Sequence, residues 1–394
     1  MIANKLIHEH LNQECPNIHS SRLQAIMDVA CALQKSRNLA LTSIGRKING
    51  SANTKHKIKK VDRLESNQHL HGELNYVYTG LSSYVFKYLS QEQGTPIIID
   101  LCYVQDNYDI QMLSAEVASK GRTLPIYREV FSIGELKGRA KQFLENLSRC
   151  IPSGKKILII MDAGFGEDWL KEIELYGWYW LIRIRQGKDI KINNKWLKVK
   201  AFMDSVEVKA KNYNNAAIMV KHNHPCRIVT KRNYTVSVRK KPSKLPRNYN
   251  SANGNYSRTA KEPWILATNL PLEYNTVSIV NYYKKRMQIE ESFRDTKSHR
   301  YGLSARYART QCIYRWGVKM LLAAITQIVL WVIGIIGHSK NFQKKFQANT
   351  VKDKKVFSYF FLGQLIVEHN MVEELAIDYE NIESIINQEL ARKW

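Results

Sequence analysis

Apolar positions recur three and four residues apart at 20–35 and again at 70–90. This spacing predicts helices from residue 1 to about 90. Between the two stretches, LALTSIGRKINGSANTKHKIKKVDRLESN has helix-turn-helix proportions: Thr42 opens one helix, Asn49-Gly50 breaks it, and a second begins near Asn53. From Thr95 the pattern changes. TPIIIDL is a short β-branched run that predicts a buried strand ending at Asp100, and MLSAEVAS and TLPIYREVF, joined across Gly121, predict two more. A helix from about Leu136 to Cys150 leads to KKILIIMDAGFG, a second buried strand ending at Asp162. A helix near Asp168–Tyr176 and a strand in WYWLIRIR follow. Alternating runs such as YTVSVRKK make residues 183–262 a β-rich insertion with a flexible loop from Lys240 to Thr259, and EPWILATNLP returns to a strand. Carboxylates at strand ends predict a mixed α/β sheet with ligands at its carboxyl edge.

The chain is organised around YKKRMQIEESFRDTK, Tyr283 to Lys297, which reads as one helix without Pro or Gly. On a helical wheel Tyr283, Arg286, Glu290 and Lys297 share one narrow stripe, bordered by the apolar Ile289 and Phe293. Lys284, Gln288 and Asp295 fall on the opposite side and are expected in solvent. Glu291 points about 100° away from Glu290, so Glu290 is the working carboxylate.

After this helix, VKMLLAAITQIVLWVIGIIG (Val318 to Gly337) is long enough to span a bilayer, but Lys319, Thr326 and Gln327 interrupt it. It is expected to be a buried helix packed behind the Glu290 helix. The tail from Glu373 is acidic and amphipathic, suited to packing on the body or on another protomer.

Charge narrows the class of partner. Lys and Arg number 60 against 35 Asp and Glu, a net charge of +25, which favours a polyanion, nucleic acid before membrane. Residues 183–262 hold 20 Lys or Arg against four acids, a density suited to phosphate contacts. The predicted helix after Asn53 carries Lys55, His56, Lys57, Lys59, Lys60 and Arg63, and is either a helix for a DNA groove or a solvated basic face. The six cysteines form no Cys-x-x-Cys pair and look like reduced thiols, and MIANKLIHEH has no apolar signal core; a cytoplasmic, nucleoid-associated protein without a membrane partner is expected. Two strand-end aspartates and one helical glutamate, Asp100, Asp162 and Glu290, are the oxygen ligands that hard cations prefer, and two such ions bracket the attacking and leaving oxygens of a phosphodiester. Asp106 and Asp109 compete with Asp100 from a more polar, irregular stretch.

The spacing Tyr-x2-Arg-x3-Glu-x6-Lys of Tyr283, Arg286, Glu290 and Lys297 resembles the YREK signature of bacterial insertion-sequence transposases of the IS-four family, of the DDE class. Across residues 5 to 350 the chain looks closest to the IS-ten branch, through TKHKIKKVDRL, DAGF, GWYWLIRIR, KEPWILATNLP, KRMQIEESFRD and FQANTV. Where that branch has Asp-Trp-Ser-Asp, this chain reads Asp100-Leu101-Cys102-Tyr103. The resemblance implies a ribonuclease-H-like core, with a helical DNA-binding domain at 1–90, core at 91–185, a basic β-rich insertion at 186–270, the rest of the core at 271–340 and a helical region at 341–394. It implies Asp100, Asp162 and Glu290 as catalytic ligands for Mg²⁺, with Mn²⁺ as a substitute. Tyr283, Arg286 and Lys297 would grip the DNA strand, and Lys55, Lys59, Lys60 and Arg63 would join them in binding DNA. Trp264 stands where the family's tryptophan stacks on a flipped base, or else simply packs in the core. The implied activity is cleavage of inverted-repeat ends, through DNA hairpins, and joining of the 3′ ends to target DNA by a homodimer on double-stranded DNA. The alternatives are a nuclease or resolvase without strand transfer, and a DNA-binding protein impaired in catalysis.

Overall fold

The computed structural model describes residues 2–105, 109–232, 262–351, 355–375 and 379–392. It is mixed α/β and divides into two compact units. The first joins Met1–Ile157 to Met287–Trp394, and the second is Leu158–Arg286.

The first unit opens with α1 (Ile2–Glu14), α2 (Ser20–Ser36), α3 (Leu41–Gly45), α4 (Thr54–Glu65) and α5 (Gln68–Leu89). The expected break between the two central helices is present. Asn53 stands at the N-cap of α4, and Gly45 lets α3 approach α4 closely, since a Cβ there would meet the Ile58 Cα at 2.6 Å. Three antiparallel strands follow, β1 (Thr95–Tyr103), β2 (Ile110–Ala118) and β3 (Thr123–Ser132), with β2 in the middle, and then α6 (Ala140–Cys150). Residues expected to end the first strand at Asp100 instead continue it: Leu101, Cys102 and Tyr103 stay paired with Leu113, Met112 and Gln111.

In the second unit the strand order is β4-β5-β10-β9-β8-β6-β7. These strands are β4 (Ile157–Met161), β5 (Tyr179–Arg183), β6 (Asp189–Ile192), β7 (Lys195–Lys198), β8 (Lys211–Ile218), β9 (His224–Lys231) and β10 (Trp264–Thr268). β4 and β5 are paired in parallel, and α7 (Glu167–Leu175) is the crossover between them. The remaining described pairs are antiparallel. The unit closes with α8 (Thr276–Lys284). The predicted YTVSVRKK run and the loop to Thr259, with Lys240 and Lys241, lie outside the described residues.

The chain then re-enters the first unit with α9 (Met287–Lys297), α10 (Ile313–Ser339), α11 (Tyr359–Glu368) and α12 (Ile382–Ala391). The α10 helix is the one helix among the described residues long and apolar enough to cross a membrane, and the apolar window that passes that test is wholly buried in the protein. It packs on α11, β3, α2, α5 and α12. Each fully buried Leu, Ile or Val on it contributes about 1.5–3 kcal/mol relative to exposure, which makes α10 the spine of the first unit. Lys319 and Gln327, the polar interruptions in the sequence, are both paired: Lys319 with Glu65, and Gln327 with Arg128 and α9.

Candidate active site

The stretch read as one helix is two. Helix α8 ends at Lys284, and α9 starts at Met287. At the break, the Lys285 N–H bonds Tyr282 and Tyr283 carbonyls, and the Arg286 N–H bonds the Tyr283 carbonyl at 3.0 Å. These short i→i−3 closures tighten the turn and spoil the wheel register across it. The single stripe from Tyr283 to Lys297 is therefore corrected: Tyr283 and Arg286 belong to the second unit, Glu290 and Lys297 to the first.

Within α9 the register holds. Ile289 and Phe293 are buried, Glu290 is exposed, and Glu290 and Lys297 line one cavity of about 840 Å³. Asp100 lines the same cavity from β1, with Leu101, Cys102 and Tyr103. An Asp100 oxygen also accepts the Leu101 N–H at 2.8 Å. The rest of the wall is Phe293, Arg294, Lys297, Ser298, His299, Arg300, Arg306 and Tyr307. Burial pushes the Cys102 thiol up to about 12 against the pull of Lys297 and Arg128, so it stays protonated and is no nucleophile.

Arg294, Arg300, Arg306 and Tyr307 were not singled out from the sequence. For Arg300, Arg306 and Tyr307 the signal was present in KSHRYGLSARYAR, a basic and aromatic run that begins at the last residue of the helix, while Arg294 lies within the helix itself. The loop doubles back on the end of α9: the Leu303 N–H bonds the Asp295 carbonyl at 2.8 Å. Gly302 allows it, because a Cβ there would lie 2.0 Å from the same oxygen.

Asp295 contradicts the wheel reading. It is 3% exposed and accepts from Arg122 Nε at 2.7 Å, because the turn between β2 and β3 brings a cation onto that side of the helix. Burial pushes its carboxyl up to about 7, with Arg122 opposing. Glu291 also faces Arg122, at 3.5 Å, and pairs with Arg294 of the cavity wall, but does not itself line the cavity.

In the second unit Asp162 directly follows the last residue of β4, and its carboxylate accepts from Arg185 Nη2 at 2.7 Å. Trp264 opens β10 opposite Lys231, half-buried, with its ring edge-on to Tyr283 at 5.2 Å. Tyr283 is 4% exposed, and burial pushes its hydroxyl up to about 12. On α4, Lys55 and Arg63 are exposed, Lys59 is held by Asp62 at 2.6 Å, and Lys60 by Asp28 at 2.5 Å. Of the competing acids, Asp109 lies just before β2, and Asp106 is outside the described residues.

Among the described residues, no three His, Cys, Asp or Glu side chains gather into a metal-holding group. Asp100 and Glu290 nevertheless supply hard oxygen donors to one open cavity, with room for water and phosphate, and that donor set fits a hard divalent cation.

Residues 115–316, just over half of the chain, match the family described as transposase DDE domain, and the chain belongs to that family. Its members are transposases, enzymes that cut DNA, and generally use divalent metal ions. Asp162 and Glu290 lie inside the matched region and Asp100 lies before it. No curated protein matches the chain.

Proposed function

We propose that the protein is a DNA transposase of the insertion-sequence type. It binds inverted-repeat ends, cleaves them by phosphoryl transfer, and joins their 3′ ends to target DNA. The observation that carries this reading is the shared cavity of Asp100 and Glu290, walled by Lys297, Arg294, Arg300 and Arg306. Two acids and a ring of cations suit a phosphodiester and its counter-ion together. The order of elements supports a ribonuclease-H-like core, and the signature residues support the IS-four family and its IS-ten branch.

In this reading Asp100, Glu290 and Asp162 would hold Mg²⁺, or Mn²⁺ in its place. Held there, the ion would supply Lewis-acid activation of a water or 3′-hydroxyl and positive charge for a departing oxygen. The chain's own residues bind and aim the strand. Lys297, Arg294, Arg300 and Arg306 neutralise phosphate charge, the arginines with paired donors. Arg286 grips the DNA strand. Tyr283 buries its ring against Trp264, so its part is to brace the indole, which receives a base displaced when the end closes as a hairpin. Stacking there recovers about 1–3 kcal/mol. A homodimer on paired ends and a cytoplasmic location complete the proposal.

Glu290→Gln should abolish Mg²⁺-dependent cleavage of end DNA and leave end binding intact, whereas Glu291→Gln should cleave. Cleavage assays with both variants decide the matter. A dead Glu291→Gln beside an active Glu290→Gln would remove the assigned ligand.

A further inference from the structure

Asp100 and Glu290 come from a strand and a helix nearly two hundred positions apart in sequence, and their spacing has a physical cause within the first unit. Asp100 stands directly opposite Ser114 in the β1·β2 ladder, and Ser114 stands directly opposite Arg128 in β2·β3. Residues directly opposite share a face of the sheet, so the three form one row across three strands. Ser114 and Arg128 are tied by side chains with no exposure, and the half-buried Asp100 joins them through the β1·β2 ladder. Arg128 Nε donates to Ser114 Oγ at 3.1 Å, and Arg128 Nη2 donates to Glu116 at 2.7 Å; both side chains of that ion pair are fully buried.

The same Nη2 donates to Gln327 Oε1 on α10 at 2.8 Å, which fixes the orientation of the amide. Gln327 Nε2 then points at α9, within 3.3 Å of Thr296 Oγ1, 3.4 Å of the Ser292 carbonyl and 3.5 Å of Ser292 Oγ. Ser292 and Thr296 are two and six positions after Glu290, which puts them on the helix face turned away from it. The circuit closes: from Asp100 through its strand neighbours to Arg128, through Gln327 to the back of α9, and along the helix to Glu290.

We propose that Arg128 and Gln327 are positioning residues that set the spacing of the Asp100 and Glu290 carboxylates for a divalent cation. The inference rests on reading those two acids as ligands. Neither positioning residue lines the cavity or bonds to Asp100 or Glu290; they act at one further remove, Arg128 through Ser114 on β2 and Gln327 through Ser292 and Thr296 on α9. Partners bonded directly to ligands typically change metal affinity by about 10–100-fold, so an effect of up to about 10-fold is expected one step further back. Gln327 carries the test, because Arg128→Met would strand the buried Glu116 charge. Gln327→Leu removes the link to α9 and leaves Arg128 bound to Ser114 and Glu116. Gln327→Glu still accepts from Arg128, loses the donation to Ser292 and Thr296, and sets a carboxylate oxygen against the Ser292 carbonyl.

The experiment titrates the full chain with Mn²⁺ alone, reading free ion by electron paramagnetic resonance, with Mg²⁺ as competitor and a thermal melt beside each titration. Wild type, Glu290→Gln, Gln327→Leu and Gln327→Glu are compared. Glu290→Gln should weaken Mn²⁺ binding by more than about 10-fold and both Gln327 variants by up to about 10-fold, with cooperative melts retained. For the Gln327 variants the loss should be greater for Mg²⁺, which demands near-ideal octahedral geometry. Unchanged binding in Gln327→Leu beside weakened binding in Glu290→Gln overturns the positioning role alone. Unchanged binding in Glu290→Gln overturns the ligand reading beneath it. Loss of affinity that comes with loss of cooperative melting in both Gln327 variants also overturns the proposal, leaving Gln327 a residue of the core only.

Discussion

At the scale of single residues, Asp295 is the most informative on α9, since it carries an acid into the core about one and a half turns from the exposed Glu290. Its carboxyl is pushed up to about 7 by burial, opposed by Arg122, with Glu291 pushing the same way as burial and Arg294 against it. A carboxyl whose folded value is raised stabilises the fold in its protonated form. That contribution is fully present below the ordinary carboxyl range and is lost as pH rises through about 7. Stability of the first unit should therefore fall between pH 5 and pH 7, by at most about 1.4 kcal/mol per pH unit from this group. Asp295→Asn keeps an acceptor for Arg122 and has no proton to lose. Urea unfolding at pH 5, 6 and 7 should show the wild-type decline flattened in the variant. Parallel declines in both chains would mean that Asp295 is ionised throughout, held by Arg122.

Elements whose pattern is local were legible. The α4 helix was set by Asn53 before it and Asn49-Gly50 ahead of that, and β2 and β3 by the runs MLSAEVAS and TLPIYREVF on either side of Gly121. The α10 helix was expected to be buried from its interrupted apolar run, and is. What escaped is what depends on partners from distant sequence. No residue type announces the break at Lys285-Arg286, because Lys and Arg are good helix formers; tertiary packing overrides propensity there. Nor does the wheel know that Arg122 arrives beside Asp295. Glu290 and Lys297 line one cavity, as their spacing on one helix predicted, and Asp100 joins them although β1 does not end at it, whereas Arg300 and Arg306 enter through a loop whose fold rests on Gly302. The basic helix α4 carries a prediction of its own. Lys59 and Lys60 are engaged by Asp62 and Asp28, while Lys55 and Arg63 are exposed. If α4 contacts phosphates, Lys55→Gln and Arg63→Gln should each reduce the slope of log affinity against log salt by about 0.9. Lys60→Gln should reduce it less, since its ammonium already has a carboxylate. Fluorescence anisotropy with duplex DNA between 50 and 200 mM salt reads the slopes, and unchanged slopes in both exposed-residue variants would leave α4 a solvated basic face.

On the scale of the whole molecule, the first unit is discontinuous: its amino-terminal helices and its carboxyl-terminal helices fold together, with the second unit interposed in the chain. Apolar packing on α10 does most of that joining, but one polar contact makes it specific. Lys319, near the start of the apolar run, donates to Glu65 at the end of α4 at 2.5 Å and to the Leu39 carbonyl at 2.9 Å. The side chains are 3% and 1% exposed. Burial lowers the lysine pKa and raises that of the glutamate, each held back by the other. The nearby Arg315 adds a bond to Asp62 at 2.8 Å. Breaking a buried pair by removing one member costs about 3–5 kcal/mol, because the other charge is left without its partner, whereas replacing both with apolar groups of similar size is often neutral. Lys319→Met should therefore destabilise the first unit by about that amount, and Lys319→Met with Glu65→Met should restore most of it. Hydrogen exchange followed by mass spectrometry separates the two units. In Lys319→Met, amides of α2, α4 and α10 should lose protection, while those of β5, β9 and β10 in the second unit keep theirs. Equal loss of protection in both sets would show that the chain unfolds as a single cooperative body, and the division into two units would then carry no thermodynamic meaning.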